Sequence, residues 1–339
     1  MNYIEINIEG DFWDYLLKDN LIYLWGFNGI VSVYNWDHLV LDLTIKNENV
    51  SIYQLLQNKT SRSLNKLINN NLILNLTLYD IEPYMLKRFE TPFNQLPISL
   101  GTYKDNFYAI LDKGLFKVKK LESGSNNIER LWDSKLFDFN IKKDGRIAMS
   151  GGTEGLFEHY IYKQDTIRVS ERHSTASYWN RKGIYSSSLR DESYLVILND
   201  NELNDYKNDS KWKEIFEEEI FSHKVLNGGI SWSSNKYLYR VFDNNKLEVV
   251  HFTEKEGELE NKSKVIEFAN WKGKLLSGGS ASFGNVIECE NALVVLHNNS
   301  FENIPGEIVT WKVIDNNPYY SNHLGIVFED RISLRGYQL

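Results

Sequence analysis

Residues 143–161 decide the fold: Lys143-Asp144-Gly145, then RIAMSGG, then Thr153-Glu154 and GLFEHYI. A turn holding a charged and a flexible residue opens an apolar strand, a glycine-rich turn reverses it, and a second strand returns. The same order recurs along the chain. Lys18-Asp19-Asn20 precedes LIYLWG and FNGIVSVY, and Lys104-Asp105-Asn106 precedes FYAIL and DKGLFKV. Arg181-Lys182-Gly183 leads into IYSSS and SYLVIL, and Ser234-Asn235-Lys236 into YLYRVF and KLEVVHF. Gly284-Asn285 opens VIECE and ALVVL, and Ser321-Asn322-His323 opens LGIVFE and RISLRGY. A unit this short cannot bury the faces of its own sheet, so it must stack on its neighbours.

From the second copy onward the starts lie about 38 to 53 residues apart, the interval of one four-stranded blade. The predicted fold is all-β, a seven-bladed β-propeller occupying residues 1–339 as one domain. The first two copies are about 86 residues apart, which leaves an eight-bladed ring as the alternative.

Two stretches break the rhythm. Within 47–92, Ile52, Leu55 and Leu56 fall at helical spacing, Thr60 can cap a second segment bearing Leu64, Leu67 and Ile68, and LILNLTLY at 72–79 alternates as a strand. The reading is an inserted helical hairpin that returns through an outer strand; in the eight-bladed alternative LILNLTLY belongs to a decayed blade. Within 199–221, Asp209 or Ser210 can cap an amphipathic helix whose apolar stripe is Trp212, Ile215, Phe216 and Ile220, opposite Glu217, Glu218 and Glu219. Both insertions are expected to be dispensable for folding and to serve in docking. At the ends, residues 3–8 alternate without a hairpin partner, while the last copy offers only 319–322, 324–329 and 332–337. Pairing the N-terminal strand onto the last blade would remove both open edges and latch the ring.

Composition narrows the partners. Acidic residues outnumber basic ones 46 to 38, a net charge of −8 that disfavours a phosphate backbone, so no nucleic acid is expected. The start MNYIEINIEGDFW is acidic and alternating, and no apolar run approaches the length of a membrane span. The expectation is a cytoplasmic protein without a membrane partner. A single cysteine, Cys289, excludes a disulfide within the chain. The seven histidines are scattered, and no glycine-rich loop of the phosphate-binding kind occurs, so neither metal nor cofactor is expected.

The copies resemble β-propeller repeats, and Asp144 to Phe157, DGRIAMSGGTEGLF, is similar to the hairpins of regulator-type propellers. Asp105-Asn106-Phe107 leading to Gly114-Leu115-Phe116 is a fainter copy. The pairs Trp13-Asp14, Trp36-Asp37 and Trp132-Asp133 resemble the dipeptide of WD40 repeats, without the Gly-His that precedes it there. The resemblance implies a recognition platform and carries no catalytic residue to this chain.

Cationic, aromatic and hydroxyl residues concentrate between Arg168 and Arg190. Ser174 to Trp179 reads as the inner strand of the fourth blade, with Arg172 and His173 at a channel mouth. Arg172, His173, Trp179 and Arg181 are therefore the candidate contacts for an anionic ligand or a partner carboxylate. Trp36 and Trp271, beside turns, are candidates for the rim of a recognition surface. His173 and Ser174 point to opposite faces of one strand and cannot act as base and nucleophile. Two function classes follow. The favoured one is a non-catalytic protein–protein interaction platform, a subunit or regulator in a multi-protein complex. The alternative is a carbohydrate-binding or glycan-hydrolysing propeller with its site at the channel mouth, for which Asp105, Asp138 and Glu154 are available carboxylates.

Overall fold

The computed structural model of the chain describes residues 2–57, 70–93, 95–121, 127–188, 192–197, 213–225, 229–235, 237–243, 245–255, 258–268, 273–297, 300–314 and 320–339. The turns adopt the backbone states that their residues favour. Asp19 and Asn20 both hold positive φ, 51° and 65°, the primed geometry that matches the twist of a hairpin, and Gly145 sits at 87° in the equivalent turn.

Seven sheets result. Blade 1 comprises Phe12–Lys18, Leu21–Gly26, Ile30–Asn35 and Met85–Glu90, and blade 2 comprises Ser99–Tyr103, Asn106–Leu111, Gly114–Val118 and Ile128–Arg130. Blade 3 is Asp138–Ile141, Arg146–Ser150, Leu156–Tyr160 and Asp165–Ser170; blade 4 is Ala176–Trp179, Gly183–Ser187, Tyr194–Ile197 and Lys213–Phe216. Blade 5 is Ser231–Ser234, Tyr237–Asp243, Lys246–Lys255 and Glu258–Glu267; blade 6 is Leu275–Ala281, Gly284–Cys289, Ala292–His297 and Ser300–Pro305. Blade 7 takes Ile308–Val313, His323–Phe328 and Arg331–Tyr337 from the C-terminal region and Tyr3–Glu9 from the N-terminal one. The first strand of each blade is the innermost. Each touches the next around the circle, and Ile308–Val313 returns to Phe12–Lys18.

Apolar side chains fill the wedges between blades. Trp232 is fully buried against Gly278, where a Cβ would stand 2.2 Å from the indole, so only glycine admits the ring.

The latch forms as expected. Tyr3 to Glu9 run antiparallel to Arg331 to Tyr337, with Tyr3 opposite Tyr337 and Glu9 opposite Arg331. Ile4, Ile6 and Ile8 are fully buried, and on the other face Glu5 lies opposite Arg335. Arg335 pairs with Glu5 at 2.9 Å and Glu302 at 2.8 Å, while Ser333 donates to Glu5 at 2.7 Å. The inner strand of this blade is Ile308–Val313, not 319–322; of those residues, 319 lies outside the described set.

The 47–92 stretch departs from its reading. Helix α1 (Trp36–Lys46) precedes it, buries Trp36, Leu39, Val40 and Leu43, and is capped by the side chain of Asn35. Helix α2 (Val50–Gln57) stands where a helix was predicted; the second predicted helix falls outside the described residues. Leu72–Leu76 is a strand, yet it pairs parallel to Tyr3–Glu9 as a fifth strand of blade 7, and Met85–Glu90 closes blade 1. LILNLTLY therefore belongs to no eighth blade. A third helix, α3 (Leu78–Ile81), follows it.

This insertion is bonded to the closing blade. Asn7 donates to Asn75 at 2.9 Å, and the Leu55 carbonyl at the end of α2 accepts from Asn322 at 3.0 Å and His323 at 2.9 Å. Burial drives the His323 pKa down to about 4, which keeps the ring neutral at physiological pH.

The helix predicted within 199–221 is also corrected. Residues 199–212 lie outside the described set, Lys213–Phe216 is the outer strand of blade 4, and only Glu217–Ile220 forms a helical turn, α4. The open edge of Tyr194–Ile197 takes Lys213–Phe216 into the ladder, and Ile215 is buried there.

Removing one member of a buried ion pair leaves an uncompensated charge, at a cost of about 3–5 kcal/mol. Arg335→Ala is expected to lose that much in urea denaturation. Arg331→Ala, which breaks the exposed pair with Asp330, is expected to lose under about 1 kcal/mol.

Candidate functional site

All seven inner strands run the same way, so their starts gather on one face of the ring, the leading face, and their ends on the other, the trailing face. Between them the central channel encloses about 870 Å³, walled by the inner strands of blades 2 to 7.

Arg172 and His173 lie on the leading face, before Ala176–Trp179. The Arg172 guanidinium pairs with Glu214 at 3.0 Å and covers the Phe216 ring at 4.4 Å, both on the outer strand of its own blade. His173 is largely buried, with its Nδ1 2.8 Å from the Ser188 hydroxyl. Ser174 continues a buried hydroxyl chain, receiving from Ser186 at 2.8 Å and donating to Ser150 at 2.9 Å. Arg172 and His173 thus brace the loop that crosses from blade 3 to blade 4.

Trp179 and Arg181 lie at the other end of the same strand, on the trailing face. The Trp179 indole donates to the Asn140 carbonyl at 2.8 Å, which fixes the ring as a plate between blades 3 and 4. Lys142 stands 5.0 Å and Arg146 5.2 Å from its centroid, a cation–π arrangement. Arg146 is held there by a buried pair with Glu158. The Arg181 amide donates to the Asn235 carbonyl and Asn180 donates to Ser233 at 3.0 Å, so the turns of blades 4 and 5 are tied while the Arg181 side chain stays exposed. Lys143 is exposed at the same mouth, and its carbonyl accepts from Tyr103 at 3.2 Å. Tyr103 and Tyr162 join hydroxyls at 2.8 Å, and Lys104 lies 4.9 Å from the Tyr162 ring. The Lys104 ammonium and the Tyr103 hydroxyl lower the Tyr162 pKa.

Asp138 lines the channel deeper in, and Glu288 stands on the second strand of blade 6. Asp138 accepts from the Ser177 amide at 2.9 Å, yet enclosure by the ring pushes its pKa up to about 6. Glu288 accepts from Ser277 at 2.5 Å and from the Trp311 indole at 3.0 Å. Burial, then the Asp138 and Glu288 charges, raise the Tyr178 pKa. Lys312 pairs with Asp14 at 2.7 Å and joins blade 7 to blade 1 on the channel wall.

The structure therefore divides the predicted site. It brings Trp179 and Arg181 together and sends Arg172 and His173 to the opposite face. Trp36 is no rim residue: it is fully buried at the start of α1, donating to the Leu56 carbonyl at 3.3 Å. Trp271 lies outside the described residues. Lys142 and Lys143 were missed, although a signal for them existed. A cation stands in five of the seven quoted turns, at Lys18, Lys104, Lys143, Arg181 and Lys236. Among the described residues, no group of three or more His, Cys, Asp or Glu is placed to hold a metal ion.

No protein-family model matches the sequence, and no curated protein matches it. Among solved structures, the computationally designed Ika8 protein is similar with a TM-score of 0.52 at 9% identity, over 98% of this chain and 99% of that one. The extracellular domain of a putative hybrid two-component system from B. thetaiotaomicron has a TM-score of 0.51 at 11% identity, over 98% of this chain and 39% of that chain. The Pan2 WD40 domain of Neurospora crassa has a TM-score of 0.48 at 8% identity, over 97% and 90%. At such identities the likeness is one of fold. The fold is a seven-bladed β-propeller.

Between about pH 4 and pH 6 the folded chain keeps a proton on Asp138 that the unfolded chain releases, so stability falls as pH rises through that window. Asp138→Asn removes the effect. Relative to the parent, the variant is expected to gain about 2 kcal/mol between pH 4 and pH 7 in urea denaturation; parallel pH profiles would show that Asp138 ionises freely.

Proposed function

We propose that this chain is a non-catalytic protein–protein interaction platform, a subunit or regulator of a multi-protein complex that receives its partner on the trailing face. One observation carries this reading: Lys142, Lys143 and Arg181 surround the Trp179 plate at the mouth of a latched ring. Trp179 is largely buried and backs the mouth, while exposed arginine on a rigid support is a group that anchors protein interfaces and the neighbouring ammonium groups suit a partner carboxylate or another small anion. The hydroxyl and imidazole groups of Ser174 and His173 are engaged in bracing blades 3 and 4. Cys289 is buried, and its thiol is pushed up to about 12 chiefly by that burial, which fits a packed thiol in a reducing cytoplasm. Among the described residues, no helix is long and apolar enough to cross a membrane.

The alternative, a glycan held in the channel, draws on Tyr178, Tyr239 and Trp311 around the same space as Asp138, with Glu288 held by Trp311. Aromatic faces and carboxylates together can seat a sugar ring. In that case Asp138→Asn would abolish binding and leave the mouth lysines indifferent.

Lysine-reactive cross-linking of the tagged chain in its native cells tests the platform. Partner cross-links are expected at Lys104, Lys142, Lys143 and Lys182 and not at Lys113 or Lys135. An even spread over both faces, or no partner peptide at all, would sink the reading.

A further inference from the structure

Among the described residues, charge is sorted between the two faces of blades 2 to 4, and the channel mouth is the centre of a wider basic group. The turns between first and second strands carry Lys104, Lys142, Lys143, Arg181 and Lys182, and the turns after the third strands add Lys119, Lys120 and Lys163. Only Asp105, Asp144 and Asp165 stand among these eight cations in the described turns. On the leading face the same three blades show the reverse. Asp112, Asp133, Glu154, Glu171, Glu192 and the run Glu217–Glu219 face Lys113, Arg130, Lys135, Arg168, Arg172 and Lys224, eight carboxylates against six cations. In a chain of net charge −8, this excess of cations among the described turn residues is a local departure of the kind that steers a charged partner.

We infer that the trailing face of blades 2 to 4 docks an acidic, extended segment of a protein partner, its carboxylates distributed over the lysines and one of them at the Trp179 mouth. This deepens the platform reading and rests on it. Two features select a peptide over a nucleic acid. First, Asp105, Asp144 and Asp165 alternate with the lysines; these carboxylates repel a phosphate backbone, whereas a peptide has N–H donors for them to accept. Second, the tyrosines are already engaged with each other and with a lysine: Tyr103 bonds Tyr162, Lys104 covers Tyr162, and Tyr160 meets Tyr162 edge-on at 5.6 Å. That leaves an amphipathic ridge for side chains, with a lysine over the Tyr162 ring where a base would stack.

The experiment uses the full chain and a fluorescein-labelled glutamate-rich peptide in anisotropy titrations. A peptide with lysine at the glutamate positions and a single-stranded RNA oligonucleotide serve as competing classes. The glutamate peptide is expected to bind, and to weaken as salt shortens the screening length. Lys104→Glu, Lys143→Glu and Arg181→Glu together change only exposed groups. Circular dichroism is expected to stay unaltered while affinity falls at least about tenfold, since several exposed pairs reversed at once sum to that factor. Glu154→Lys with Glu171→Lys on the leading face is the matched control and is expected to leave affinity unchanged. Tighter binding of the RNA, absence of peptide binding, or equal losses from both sets of reversals would overturn the inference. If a partner still cross-links at the trailing face while the glutamate peptide fails, the platform stands and only the acidic-segment assignment falls.

Discussion

The structure depends on one ladder, Tyr3 to Glu9 against Arg331 to Tyr337. A ring of blades is stable only when its first and last members are held together; otherwise two sheet faces and two edges stay open to solvent. The chain solves this within a blade, so that closure uses backbone hydrogen bonds as strong as those inside any other sheet. Burying Ile4, Ile6 and Ile8 supplies the apolar part, and the Glu5–Arg335–Glu302 group fixes register, because a slip of one residue would turn the isoleucines out and the charges in. Lys312 with Asp14 adds a second join at the inner wall.

The insertion between blades 1 and 2 serves the same constraint. A strand at the rim of blade 7 would offer its free backbone groups to any other chain. Leu72–Leu76 covers that rim, and α2 lays its terminal carbonyl over Asn322 and His323. Strand direction has a further effect. Because every blade starts on the same face, the turn residues of all repeats are sorted by their position within the repeat, and a preference for lysine at one turn position becomes a basic surface.

The parts legible in the sequence were those set locally. Turn residues such as Asp19-Asn20 and Asp144-Gly145, followed by alternating strands, announce hairpins whatever surrounds them. The latch was legible by elimination, since an alternating strand without a neighbour must find one. Leu72–Leu76 was recognised as a strand, yet nothing in LILNLTLY says that its partner is parallel and 68 residues away. Trp36, Leu39, Val40 and Leu43 have helical spacing, but the turn residue Asn35 before them looks the same whether it reverses a strand or caps a helix. The candidate site was misjoined for a geometric reason. From His173 to Arg181 an extended chain travels about 25 Å, enough to cross the ring, so neighbours in sequence belong to different faces.

The ladder that closes the ring joins residues more than three hundred positions apart, as Ser333 to Glu5 shows. During synthesis at roughly 5–20 residues per second, Tyr3–Glu9 leaves the ribosome tens of seconds before Arg331–Tyr337 exists. Throughout that interval its antiparallel partner does not exist. Leu72–Leu76 arrives early and pairs with the same strand along its other edge, beside helices that pack on the same core. The native neighbours on that edge of Tyr3–Glu9 are thus synthesised about 250 residues ahead of those on the other.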